Sequence, residues 1–431
     1  MITGSHSANL QKTWMGEVPS SWDVKALKFC ADLSTEKANG SDCTDSIYVG
    51  LEHIESKSGR LVRTDGSQES AESTVNCFQR GDVLFGKLRP YLAKAAVATS
   101  DGVCSSEILV YRPHGLTAPY LKHVMLLEGF IGEVNASTYG SKMPRADASF
   151  ISRLPVPQPP IDEQLAIVSY LDAEIARIDG LIDAKRSLAA AMEELRAATI
   201  TQAVTCGLQL NAPKREVSLG WLSHIPRHWN AAAIKRLVSA MTYGGSSATV
   251  DEGPIRVLTM AHIAKGEVST TSNQFWASVE DGLLLECNDL LFNRTNSPAL
   301  VGKVGIFRGS LEERISFASY LVRLRVDDDN DPRWLNYILN CDPFIAFARG
   351  HALVSLNQAN LNSSKYGRFV IAVPPKREQI EIADFLDTEL SRIDAVNTHI
   401  EDEIKLLQEM RSSTITDAVL GRIDVRHQLK N

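Results

Sequence analysis

The phrase PPIDEQLAIVSYLDAEIARID, starting at Pro159, returns as PPKREQIEIADFLDTELSRID, starting at Pro374, 215 residues later. The same offset carries Gln164 onto Gln379, Leu171 onto Leu386, Arg177 onto Arg392, and TITQAV at Thr199 onto TITDAV at Thr414. A period of this size decides how the rest of a chain is read, so it comes before any motif. The echo extends upstream. WMGEVPSSWDVKALK from Trp14 matches WLSHIPRHWNAAAIK from Trp221, and GDVLFGKLRP from Gly81 loosely matches NDLLFNRTNS from Asn288. The order is therefore variable, constant, variable, constant: residues 1–158, 159–208, 209–373 and 374–426, with a tail at 427–431. Two copies are too few for a solenoid, which needs at least three stacked units. They imply a molecule with internal pseudo-twofold symmetry instead.

Each constant block predicts one long helix. Leu386, Leu390, Ile393, Val396, Ile400, Ile404, Leu407 and Met410 recur at spacings of three and four, and Leu171, Ile175, Ile178, Ile182, Leu188, Met192 and Leu195 follow the same rule apart from one step of six after Ile182. Paired prolines suit the start of each helix, and Gly207 and Gly421 suit its end. Gly180 is the internal weak point, costing about 1 kcal/mol relative to Ala. A long helix with one apolar stripe needs another helix to cover it, and its own repeat is the obvious cover. The expected product is an antiparallel coiled coil with a variable block at each end.

The variable blocks read as mixed α/β (α+β) domains. RGDVLFGKL, SEILVYRP, ISFASYLVRLRV and GRFVIAVPP have strand character, whereas APYLKHVMLLEGFI and DPRWLNYILNCDPFIAFA have helical spacing. The formal charge of −7 argues superficially against a nucleic-acid partner, but it is unevenly placed. Residues 159–208 carry −4 and residues 374–426 carry −5, so the remaining chain stands at about +2. No run approaches the roughly 18 apolar residues of a membrane span, and MITGSHSANLQKTW lacks the apolar stretch of a signal peptide, so a cytoplasmic address is expected. The seven cysteines are scattered without CxxC spacing, which indicates neither a disulfide framework nor a zinc site.

Catalytic signatures are sparse. GxxxxGK[ST], HExxH, GxSxG and NPP[FYW]-type motifs are absent from the sequence. His53 in LEHIES and His262 in MAHIAK form a duplicated histidine, which reads as a turn or packing residue. Asp82 and Lys87 in GDVLFGK form the most enzyme-like stretch, and they carry the alternative reading, a stand-alone Mg-dependent nuclease. Against this, the second copy offers Asp289 and Arg294 with no evident acidic pair beside them. Other loops have the side chains that read base edges or hold phosphates. STYGSKMPR offers Tyr139, Ser141, Lys142 and Arg145, and VSLNQANLNSSKY offers Asn357, Gln358, Asn360, Ser364 and Lys365. FGKLRPYLAK and FNRTNSPALVGK add Lys87, Arg89, Lys94, Asn293, Arg294, Asn296 and Lys303.

Taken together, WMGEVPSSW and WLSHIPRHW, GDVLFGKLRP, and PPIDEQLAI…LD…RID…TITQAV with its second copy resemble the specificity subunit of type I restriction–modification systems. The resemblance covers nearly the whole chain, and its mid-domain motif is degraded in the second half. It implies two target recognition domains, each reading one part of a split double-stranded DNA target, with the paired helices as the spacer between them. It further implies two docked methyltransferase (modification) subunits and a motor and nuclease (restriction) subunit. Glu163, Gln164, Arg177, Glu378, Gln379 and Arg392 are the docking candidates in the repeated phrase. S-adenosylmethionine, ATP and Mg²⁺ then belong to the partners, and this chain is expected to be non-catalytic with no cofactor or metal of its own.

Overall fold

The computed structural model describes residues 14–43, 46–62, 74–140, 142–209, 211–309, 313–355 and 358–425. Ser141, Asn357 and the 427–431 tail lie outside them. Two long helices run over Ile161–Cys206 and Lys376–Val419. Each follows a pair of prolines, which suit a helix entrance but not its interior. The first ends at Gly207 with φ +75°. Past the second, Gly421 takes φ +68°, and a Cβ there would meet Pro19 and Trp22 at 2.6 Å. No helix among the described residues is long and apolar enough to cross a membrane.

The chain divides into two compact units, Met1–Lys185 with Asp402–Asn431, and Arg186–Glu401. The divisions fall inside the helices, so each unit owns one variable block and a portion of both helices.

In the first unit, a sheet orders its strands Ala31–Leu33, Ile108–Pro113, Val83–Gly86 and Ala95–Val97, every pairing antiparallel. Helices Ala118–Leu126 and Glu128–Ala136 cover it. The run of helical spacing breaks at Leu127, whose ψ of 138° is extended. Phe85, Tyr111, Tyr120, Leu121 and Phe130 fill the core between, joined by Leu171 of the first long helix and Val419 of the second. Burial of large apolar side chains at about 1.5–3 kcal/mol each is what holds the helices to the domain. Tyr120 Oη also donates to the Val419 carbonyl at 2.8 Å. Where the chain enters the domain, strand Asp23–Ala26 pairs with strand Pro155–Gln158, where it leaves. The indole of Trp14 fastens this closure by donating to the Pro155 carbonyl at 3.0 Å.

The second unit repeats the plan. Strands Val238–Tyr243, Leu321–Val326, Leu290–Asn293 and Val304–Ile306 lie in the corresponding order within a sheet of six. Helices Pro332–Asn340 and Asp342–Gly350 cover it, with the break at Cys341. Strand Asn230–Ala233 pairs with Val370–Val373, and Trp221 donates to the Val370 carbonyl at 3.0 Å. The duplicated histidines are turn residues. Nδ1 of His53 accepts from the Gly50 amide and Nδ1 of His262 from the Thr259 amide, each closing a single 3-10 turn.

Within each unit the two long helices run antiparallel. Arg411 pairs with Asp179 at 2.9 Å in the first, where Lys185 also meets Glu403. In the second, Arg196 pairs with Asp394 at 2.8 Å and Glu193 accepts from Asn397 at 3.0 Å. Leu171, Ile178, Ile182, Leu386, Leu390, Ile393 and Ile400 are buried as the stripe predicts, but Leu188, Leu195, Val396 and Met410 are 40–50% exposed. Two helices touch along a line, and residues spaced at three and four drift off that line because a turn takes 3.6 residues.

The repeated glutamines anchor each helix to its domain. Gln164 is fully buried: its Oε1 accepts from the Thr117 amide at 2.7 Å and its Nε2 donates to the Pro159 carbonyl at 2.9 Å. Gln379 does the same with the Asp331 amide at 2.8 Å and the Pro374 carbonyl at 3.0 Å, and also donates to Asn330. The expectation that these two residues meet a partner subunit is thus corrected, because neither presents surface and both arms of each amide are used internally. Gln164→Leu or Gln379→Leu should cost about 2–3 kcal/mol by stranding a buried amide N–H and a carbonyl. Denaturant unfolding of the full chain measures it, and a residue placed only for partner contact would leave stability unchanged.

His123, buried in the first domain, has no hydrogen-bond partner at Nε2. Burial, followed by the nearby Lys122 and Arg411 charges, pushes its pKa from 6.5 down to about 3. Between those values the unfolded chain holds the proton and the folded chain does not, so the native state loses stability as pH falls below 6.5. Unfolding free energies of the native chain and His123→Leu, followed from pH 7 to 5, should diverge by about 2 kcal/mol, the native chain falling faster.

Candidate nucleic-acid interface

The motif GDVLFGKLRP places its own readers. Val83–Gly86 is a fully buried strand of the first sheet. At its end Lys87 donates its amide to the Glu107 carbonyl and accepts from the Ala146 amide, at 3.0 and 2.9 Å. Arg89, exposed and left-handed at φ 51°, donates its amide to the Pro144 carbonyl at 2.8 Å. These bonds lay the STYGSKMPR loop beside the motif. Leu88 bridges to Arg145, and Arg145 bridges to Tyr139.

Along that edge Tyr139 is 65% exposed, Lys142 is exposed, and Arg145 is half-buried. Glu107 holds the Arg145 guanidinium through Nε at 2.9 and 3.1 Å and through Nη2 at 2.9 Å, and this hydrogen bonding raises the arginine's pKa further. Such a pair fixes the plane of the guanidinium. Lys94 points elsewhere: its Nζ donates to the Leu51 carbonyl at 2.6 Å and braces the neighbouring turn.

In the second unit the strand Thr295–Asn296 pairs with Gln358–Asn360, which pairs in turn with Leu353–Ser355. The rung Thr295–Asn360–Leu353 stands where Leu88–Arg145–Tyr139 stands in the first. Arg145 and Asn360 are separated by the same 215 positions as the helical repeats. Asn360 Nδ2 donates to Thr295 Oγ1 at 2.8 Å, and Asn296 Oδ1 accepts from the Ser297 amide at 2.8 Å. The Arg294 guanidinium lies over the Tyr243 ring at 5.1 Å. Gln358, Ser364 and Lys365 are exposed, Lys303 is half-buried, and Lys365 Nζ reaches the His351 carbonyl at 3.3 Å. Asn293 is corrected: at 2% exposure its side chain faces the domain interior and presents nothing to a groove.

The nuclease reading fails at Asp82. This carboxylate is 2% exposed, and Arg112 holds both of its oxygens at 3.1 and 3.2 Å while the Gln79 amide donates to Oδ2. Asp289 repeats the lock with Arg325 at 2.9 and 2.8 Å and the Glu286 amide. The repeated acid closes a turn and neutralises a strand arginine. Among the described residues no cluster of three or more His, Cys, Asp or Glu could hold a metal.

Of the docking candidates, Arg177 and Arg392 stay on the surface, each paired three residues back with Glu174 or Glu389. Glu163 instead accepts from the Trp22 indole at 3.1 Å, and Glu378 lies 2.7 Å from His228 Nε2. Sequence reasoning missed Glu107, Arg112, Arg325 and the exposed Leu353. The arginines had a signal, since each lies in the strand run following a repeated acid, whereas the exposure of Leu353 follows only from the strand pairing.

No family model matches the chain. Over 166 residues, 38% of its length, it is 28% identical to the specificity subunit of the type I restriction enzyme EcoDI of Escherichia coli, a match spanning 36% of that protein. Over 330 residues, 75% of its length, it is 19% identical to the EcoKI specificity subunit of Escherichia coli strain K12, spanning 69% of that protein. The chain is a relative of type I restriction specificity subunits. The fold is shared as well. A chain solved in work on complex assembly and conformational transition of the type I R-M system matches with a TM-score of 0.76 at 18% identity, covering 94% of this chain and all of that one. The HsdS subunit from Thermoanaerobacter tengcongensis matches with a TM-score of 0.57 at 18% identity, over 94% of this chain and 98% of its own. The first relative's match reaches only about a third of its length, whereas the fold likeness extends over both domains and both long helices.

Proposed function

We propose that the chain is a non-catalytic DNA-reading subunit of a type I restriction–modification assembly, each domain reading one part of a split target. One observation carries the reading: two diverged domains put Arg145 and Asn360, side chains suited to base edges, on the same rung of the same edge. Arginine suits the two acceptors of guanine, and asparagine the acceptor and donor of adenine. Lys142, Arg89 and Lys365 lie nearby on the surface and suit phosphates. The two half-targets therefore differ. On this reading the long helices set the spacing, with methyltransferase subunits docking around the exposed Arg177–Glu174 and Arg392–Glu389 pairs and a restriction subunit joining them. S-adenosylmethionine, ATP and Mg²⁺ are assigned to those partners. The acidity of the helical segments supports the division, since it disfavours their competing for DNA.

Mapping methylated positions in the host genome returns both half-targets and the spacer. With that target in hand, Lys142→Ala or Arg145→Ala should weaken binding through the first half-target only, and Asn360→Ala through the second only, by about tenfold for a base contact. Equal losses at both halves would overturn two independent readers. Removing one helical turn from each long helix should shift the preferred spacer length, and an unchanged spacer in the methylation map would overturn the helices as ruler.

A further inference from the structure

The hairpin formed by strands Leu353–Ser355 and Gln358–Asn360 carries the most exposed large apolar side chain among the described residues. Leu353 is 78% exposed, and Val354 beside it is 63% exposed. Neighbouring residues on a strand point to opposite faces, while directly paired residues on adjacent strands share one. Leu353 therefore shares a face with Asn360 and Thr295, and Ser355 with Gln358. The Asn360 amide on this face is already oriented by Thr295 Oγ1. One rung thus offers an apolar branch immediately beside a fixed carboxamide, with the exposed Lys365 close by, its Nζ at the carbonyl of His351, two residues before Leu353.

In the major groove an A·T pair presents the adenine N7 acceptor and N6 donor next to the thymine O4 and 5-methyl group. A two-stranded ribbon fits that groove. Resting on the DNA-reading role above, we propose that Leu353 is a specificity-determining residue that packs on the 5-methyl group of a thymine in the second half-target, while the rung's carboxamide addresses the adenine edge. The methyl is the one apolar group the pair displays there, and the exposed Lys365 suits a phosphate beside it. The first domain has Tyr139 and Arg145 on the equivalent rung, so the same methyl contact is not expected in the first half-target.

Deoxyuridine differs from thymidine by that methyl alone, which makes the test direct. Binding of the full-length chain, with whatever subunits co-purify, is measured on a duplex bearing the mapped target and on duplexes with each thymine replaced singly by uracil. One substitution in the second half-target should weaken binding on the order of fourfold, the value of one buried methyl. Leu353→Ala should bind the thymine and uracil duplexes alike, whereas Leu353→Met, which keeps apolar reach, should retain the discrimination. Equal binding of all uracil duplexes by the native chain, with the mapped target still preferred over a scrambled one, overturns the methyl contact and leaves DNA reading intact. A uracil penalty unchanged in Leu353→Ala also overturns it. Failure to prefer the mapped over the scrambled duplex overturns the reading role itself. Loss of a self-associated form in Leu353→Ala without DNA, by sedimentation, would reassign the hairpin to a second copy of this chain.

Discussion

In each unit one buried carboxamide fixes how the long helix enters its domain. A glutamine at the first turn of a long helix accepts from the amide that leads into the domain's own helix and donates to the carbonyl of the proline before it. Only a neutral group with both a donor and an acceptor can hold two such backbone groups without burying charge. Glutamate would lose the donor and add a desolvation cost, and leucine would lose both bonds. The amide thereby joins three things the chain must keep in register: the long helix, the helix that backs the sheet, and the strand by which the domain closes. From the sheet the frame continues to the reading edge through backbone bonds at Lys87 and Arg89. A side chain on that edge can therefore be positioned relative to the helix without loops bearing the load.

The second constraint is reciprocal. Asp179 pairs with Arg411, and Asp394 pairs with Arg196, so the acid of each RID triplet meets a base from the other copy of the helix. Partly exposed ion pairs contribute about 0–1 kcal/mol, too little to account for the association of the helices. Their effect is on register: a slip of one helical turn would part both pairs. A change at either member of a pair leaves its partner in the other copy unmatched. The repeated phrase needs no chemistry of its own to be retained.

Much of this was readable from the residues. Paired prolines and terminal glycines marked the helix ends to within a residue or two, and the apolar runs marked strands such as Val83–Gly86 and Ile108–Pro113. Where the reading failed, the causes differ. Repetition shows that two positions share a role, but it does not distinguish a common external partner from a common internal contact. Gln164 and Gln379 read from sequence as docking residues and are clamps. Asn293 sat in a polar loop by composition and is in fact the buried end of a strand, because the following turn folds back on it. Leu353 went unremarked, because its exposure follows only from the strand pairing, which leaves this face without cover.

The contrast between frame and edge also explains how two readers can diverge on one scaffold. Substitutions at an exposed rung cost the fold little, whereas the clamps and core that position it are buried on all sides. Divergence at the rung is still not free of coupling. Arg145 is held by Glu107 and Asn360 by Thr295, so each reading side chain comes with its own orienting neighbour. Replacing Arg145 by asparagine alone would leave the Glu107 carboxylate, only 20% exposed, without its counter-charge and facing the phosphate-rich ligand the edge is proposed to bind. A change of half-target therefore requires at least a pair of substitutions, the reader and the residue that aims it, while the buried carboxamide and the helix pairing stay as they are.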